Sequence, residues 1–260
     1  MTSVRYPAVA GLFYPDDPVE LSEVVRRFVS AETPRGPIPK AIVAPHAGYV
    51  YSGPVAASAY RLLTPAKNTI SRVILTGPAH HVPFRGLAIP GVDAFLSPLG
   101  RVPVDRPGVA KVSELPFVKR HDGPHEPEHS LEVHLPFLQK VLGDFTVIPI
   151  LVGDATGEEV ATVLEQLWEK DTLIVISSDL SHYHDYPTAK HLDAATSKAI
   201  EHLDPSRITF ESACGRIPLN GMLLTARKHG LKAETLDLRN SGDTAGPRDR
   251  VVGYGAYAFF

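Results

Sequence analysis

The feature that most limits what this chain can fold into is a set of short apolar runs with no polar alternation: "AIVAP" at 41–45, "RVILT" at 72–76, "FTVIPILV" at 145–152 and "TLIVIS" at 172–177. A strand with one face in water alternates apolar and polar side chains. Continuous Val/Ile/Leu runs therefore predict strands buried on both faces, as in a sheet covered by helices. Further strands are expected at 86–90, 233–238 and 251–259, and helices at 18–31, 53–63, 129–142, 157–169, 189–203 and 220–229. The alternation of the two predicts an α/β sandwich with a central, largely parallel or mixed sheet. The 24 prolines and 20 glycines fall mainly between these segments, and no linker, repeat or low-complexity tract interrupts the chain, so one domain over 1–260 is expected. Segment 97–127 is the least regular and reads as a flap or small hairpin.

Charge and composition narrow the partners. A formal charge of −3 with no dense Lys/Arg cluster provides no electrostatic footprint for nucleic acid. No apolar run approaches the roughly 18–20 residues that span a bilayer, and the N-terminus lacks a basic region followed by an apolar one. A cytoplasmic protein acting on small molecules or proteins is expected. Cys214 is the single cysteine, so an internal disulfide is excluded and a thiol ligand, a nucleophile or a plain buried residue remain.

In open α/β sheets, ligands collect beyond the carboxyl ends of the strands. Three of the expected strands deliver imidazole there. The first runs into "PHAGYVYSG" with His46, the second into "GPAHH" with His80 and His81, and the third into "SSDLSHYHDY" with Asp179, His182 and His184. A single histidine in such a place is commonly a loop cap; three strand ends with the same habit point to a shared site. In "EHSLEVHLPFLQKVL" the leucines at 131, 135, 138 and 142 mark an apolar helix face, with His129 and Glu132 together on another side. Either that side faces the cleft, or it is a solvated helix start with Glu128 and Glu132 near the positive end of the dipole. His134 lies nearer the apolar face and reads as a packed histidine. Cys214 and Gly215 precede Arg216 and a loop that opens an amphipathic helix.

Seven stretches, "PAVAGLFYP", "APHAGYVYSG", "GPAHH", "EHSLEVHLPF", "SSDLSHYHDY", "CGRIPLNGML" and "GYGAYAF", taken in this order and spacing, resemble the Memo family, whose bacterial members are called AmmeMemoRadiSam system protein B. The likeness runs from residue 5 to 260. It implies the fold of class III extradiol dioxygenases, which cleave catechol rings with non-haem Fe(II) and oxygen. It also implies a mononuclear metal site with two histidines and a cysteine as ligands, falling here on His46, His80 and Cys214. The dioxygenases carry a carboxylate where this sequence offers a thiolate. Two neutral imidazoles and one anion leave a divalent ion with net charge of about +1 and open positions; Fe(II) is the first choice, and the softer thiolate also suits Zn(II) or Cu(I).

Under this resemblance His80 is the ligand of the adjacent pair, and His81 points the other way into hydrogen bonds around the site. His182 resembles the dioxygenases' acid/base histidine. Asp179 is expected to orient a ligand histidine or add a ligand oxygen. His129, Glu132 and Tyr49 are expected to line the pocket, Tyr49 being equally suited to packing. Three functions follow: an iron oxidoreductase of the extradiol type acting on an unidentified small molecule, a non-catalytic metal-dependent module for peptides or partner proteins, and a zinc-dependent hydrolase. Genome context in the family adds pathway proteins, including a radical-SAM enzyme, as expected partners.

Overall fold

A computed structural model describes residues 3–30, 36–67 and 69–260. In chain order the strands are β1 (Val4–Arg5), β2 (Ala41–Ala44), β3 (Arg72–Pro78), β4 (Leu87–Ile89), β5 (Ala94–Ser97), β6 (Gly100–Pro103), β7 (Val118–Arg120), β8 (Thr146–Val152), β9 (Thr172–Ser177), β10 (His182–His184), β11 (Ala233–Asn240) and β12 (Val251–Phe259). The helices are α1 (Pro18–Val29), α2 (Tyr49–Tyr60), α3 (Arg106–Ser113), α4 (Leu135–Val141), α5 (Gly157–Gln166), α6 (Tyr186–Glu201), α7 (Arg216–Lys228) and α8 (Ser241–Thr244).

Among the described residues the main sheet runs β10-β12-β2-β9-β3-β8-β4-β7, with β11 paired to β12. Its centre, β2-β9-β3-β8, is parallel. These are the strands that the unbroken apolar runs predict, and all four residues of β2 are fully buried, so both of its faces are covered. The flanks are antiparallel, β12 on β2, β11 on β12 and β4 on β8, which makes the sheet mixed. Only the short α8 and a turn join β11 to β12, and an antiparallel pair needs no crossover helix. Helices α1, α2 and α4 pack together, and α5 packs on α7. No helix among the described residues is long and apolar enough to cross a membrane.

Local chemistry moves several boundaries. Helix 129–142 is not continuous: 129–131 are irregular, Glu132–His134 is one 3-10 turn and α4 starts at Leu135. The Glu128 carboxylate captures the amides of His129 and Ser130, and Pro136 supplies no amide to carry an α-helix through this turn. Helix α2 begins at Tyr49 rather than 53 because Gly48 accepts the first amides and Pro54 is tolerated inside it. Helix α7 starts at Arg216, with no loop after Gly215. Ala31, at the end of the expected first helix, lies outside the described residues. In segment 97–127 a hairpin does form, but it begins earlier, as β5 and β6, and is followed by α3 and β7. Gly100, at φ +118°, takes the left-handed conformation that closes its turn.

Two buried histidines away from the main cleft give the fold a built-in acid sensitivity. Burial pushes His125 down to about 4 and His134 down to about 3; His134 shares a 2.8 Å hydrogen bond with the Tyr60 hydroxyl. In the unfolded chain both would titrate near 6.5. Between those values the unfolded state binds more protons, so stability is complete above about pH 6.5 and falls as the pH drops towards 4 and 3. The midpoint of urea unfolding is expected to decline steadily from pH 6.5 to 4.5, above the usual range of carboxylate titration; a flat profile there would contradict it.

Candidate metal centre

The three parallel strands β2, β3 and β9 end side by side, and His46, His80 and Asp179 each stand two residues beyond one of them. They line one cleft of about 820 Å³ together with His129, His182, His184 and Cys214. Phe13, Ala47, Phe210 and Val252 supply its apolar wall. Cys214 reaches the cleft from the turn before α7, and its sulfur is not among the ligand atoms grouped at His46, His80 and His129.

Hydrogen bonds assign the tautomers of the two central histidines. The Ser177 hydroxyl donates its one proton to the Ser130 carbonyl at 2.6 Å. Its 2.7 Å contact with His46 Nδ1 must therefore be donated by the ring, which leaves Nε2 of a neutral His46 bare. Burial first, then the facing imidazoles, hold His46 well below the ordinary imidazole range, so it is neutral. The bare Nε2 lies 3.3 Å from Cys214 Sγ and 4.0 Å from Asp179 Oδ2. His80 Nδ1 is 2.9 Å from Glu128 Oε1, and because a carboxylate only accepts, this ring also donates through Nδ1 and turns Nε2 outward. Histidines that bind metals are typically oriented in this way, through the ring nitrogen that does not bind.

His46, His80 and His129 each place a ligand atom within 4.8 Å of the others, so this group could hold a metal ion. His129 stacks on His80 at 4.8 Å between ring centres, and burial pushes it down to about 4. Cys214 accepts the Asp179 amide at 3.3 Å, and burial, with the Asp179 charge next, raises its thiol well above the ordinary range. Imidazole and thiol donors with oxygen-bearing neighbours suit a borderline or soft transition metal better than Mg²⁺ or Ca²⁺.

Other candidate residues are placed differently. Glu132 does not line the cleft. It is fully buried and bonds the Arg5 guanidinium, the Tyr14 hydroxyl and the amides of Ala8 and Val9 at 2.7 and 3.0 Å. Tyr49 is also outside the lining; it is buried and donates its hydroxyl to the Val133 carbonyl at 2.7 Å. His81 is exposed, beyond the lining, with its ring 5.8 Å from His129. His182 lies in the lining on β10, next to Tyr183, whose φ of +63° is a strained value for a tyrosine.

Reading the sequence as a solvated helix start missed Glu128. It is 2 % exposed and accepts the His80 ring, the His80 amide at 2.5 Å and the amides of His129 and Ser130. Burial acts to raise its pKa, but the His80 ring and these amides outweigh that and hold it at about 2. Its one signal in the sequence is adjacency to His129. Glu128→Gln removes the charge that orients His80, and metal affinity is expected to fall about 10–100-fold; unchanged affinity in a metal titration would count against this role. Phe13 was missed as well, although "GLFYP" carries it to the wall of the cleft, 4.8 Å from the His129 ring.

Comparison with known proteins adds the family. Residues 5–258 match the family described as Memo-like protein. The chain belongs to the Memo family. A MEMO1 family protein of Aquifex aeolicus is 37% identical over 264 residues, covering 96% of this chain and 97% of the relative. Another from Thermotoga neapolitana is 35% identical over 276 residues, with 96% and 98% covered. Among solved structures, the uncharacterized protein JW3007 of Escherichia coli K12 superposes with a TM-score of 0.53 at 12% identity, over 84% of this chain and 99% of that one. At that identity the likeness concerns the fold alone, and it agrees with an α/β sandwich in this Memo-family chain.

Proposed function

We propose that this Memo-family chain holds a metal, Fe(II) by first choice, at His46, His80 and Cys214, and uses it in an oxidoreductase reaction of the extradiol type on a small molecule in the cleft. One observation carries the reading: both histidines are tied through Nδ1, to Ser177 and to Glu128, so that each leaves Nε2 free for an ion. The sulfur 3.3 Å from His46 Nε2 supplies the anion of a two-imidazole, one-anion set. When bound, iron supplies open coordination positions and electrons for chemistry with oxygen.

The protein's own residues then handle protons and water. Asp179 is fixed by accepting the His46 amide at 2.8 Å, and burial, partly offset by His182, raises its pKa to about 6. A carboxyl group poised there can hold or release a proton near neutrality. His182, which also lines the cleft, would take a proton from a substrate hydroxyl and return it. Phe13 and Val252 line the cleft with apolar surface, and the Phe13 ring offers flat contact to an aromatic ring.

Protein purified without oxygen is expected to contain iron and to consume oxygen with a member of a catechol panel. His182→Ala should keep its metal while turnover falls about 10²–10⁴-fold, the usual worth of a positioned acid/base group. Loss of metal in that variant would make His182 a ligand instead. A second reading draws on the cleft mouth, where Phe210 is 81% and Tyr183 62% exposed: an apolar rim of this kind suits a module that binds peptides without turnover. Iron-loaded protein that consumes no oxygen with any of the panel would favour it.

A further inference from the structure

We propose that this chain binds a second divalent transition-metal ion between His81, Glu128 and His129, on the outer side of the centre assigned above. The ligand atoms of these three residues lie within 4.8 Å of one another, as do those of His46, His80 and His129. His129 belongs to both groups, and what else the inner ion has available decides where it serves. The inference rests on Cys214 as the anionic ligand of the inner ion. With that thiolate 3.3 Å from His46 Nε2, the inner ion has three protein ligands without His129, which is then free for the outer one. Each ion receives two imidazoles and one anion.

Glu128 has the capacity for this. Its Oε1 accepts the His80 ring nitrogen and the amides of His129 and Ser130, whereas Oε2 accepts only the His80 amide among the described residues and keeps a lone pair. The carboxylate that orients His80 can thus face the outer ion with its other oxygen. This also accounts for two adjacent histidines at the end of β3. His80 is bound to Glu128, while His81 is exposed and, among the described residues, holds no hydrogen bond that would have to break. A site with one exposed ligand and no sulfur should take Zn²⁺, Mn²⁺, Fe²⁺ or Co²⁺, and exchange faster than the inner one.

Titration of the metal-free full-length chain with Co²⁺, with bound metal counted by elemental analysis, tests this. Wild type is expected to take two equivalents, of which only the first brings a near-ultraviolet thiolate-to-cobalt absorption. His81→Ala, an exposed change that should not disturb folding, is expected to take one equivalent and keep that absorption. Wild type that stops at one equivalent overturns the proposal. So does a second equivalent that persists in His81→Ala, which would be adventitious, or loss of the thiolate absorption in that variant, which would put His81 at the inner ion. Cys214→Ser separates the two readings: if the first-equivalent absorption survives it, the inner assignment fails, and with it the reason for freeing His129.

Discussion

Cys214→Ser is expected to strip most of the bound metal from the purified protein while leaving the fold intact. Loss of a residue that merely orients a metal ligand costs about 10–100-fold in affinity, so loss of the anionic ligand itself should cost at least about 100-fold. The stability cost should stay within a few kcal/mol, because serine is close in size and the Asp179 amide that the sulfur accepts can be accepted by a hydroxyl. Elemental analysis of wild type and variant purified side by side, together with their melting temperatures, checks it. A cysteine that is only a small buried hydrophobe predicts the reverse, a modest loss of stability and full metal loading. Equal loading in both proteins would therefore remove Cys214 from the centre.

The second large effect lies outside the cleft. Glu132→Ala is expected to destabilise the protein by about 3–5 kcal/mol, since it leaves a guanidinium buried without its partner; for a chain of this size that is a fall of roughly 10 °C in Tm. Arg5 is 5% exposed, and among the described residues its guanidinium hydrogen-bonds, beyond Glu132, only the carbonyls of the 125–128 segment, including Glu128 at 2.5 Å. The amides of Ala8 and Val9 lose their acceptor at the same time. The damage should spread to the cleft, because this N-terminal stretch ends at Phe13, whose carbonyl accepts the Tyr49 amide at 2.7 Å and whose ring packs on His129. Adding Arg5→Met should recover the share due to the stranded charge. Faster hydrogen exchange at Ala8 and Val9 should persist in the double variant. A single variant within about 1 kcal/mol of wild type would show that the ion pair and its amides contribute little.

How the site could be read from sequence divides along the same line. His46, His80 and Asp179 were legible because the residues just past buried parallel strands must surface at one sheet edge, and the strands themselves are written as unbroken apolar runs. Glu128 and Glu132 were not. In a one-dimensional pattern they are two carboxylates near a helix start, where water and the helix dipole account for them. Glu132 meets Arg5 and Tyr14, more than 115 residues away in the chain, and Glu128 meets His80 at the end of a distant strand. Periodicity also missed the break before α4, since the capture of two amides by Glu128 leaves no trace in the spacing of leucines.

By itself, then, the sequence determined the parallel core of the sheet, the strand ends where imidazoles gather and the family to which the chain belongs, because apolar runs and the motifs beside them are local. Tertiary structure alone decided the antiparallel flanks, the irregular run-in to α4 and the division of labour between two neighbouring acids. Glu128 holds His80, and Glu132 anchors the N-terminal wall. Only folding sets which charge a buried carboxylate meets, and at low dielectric that meeting outweighs any local preference.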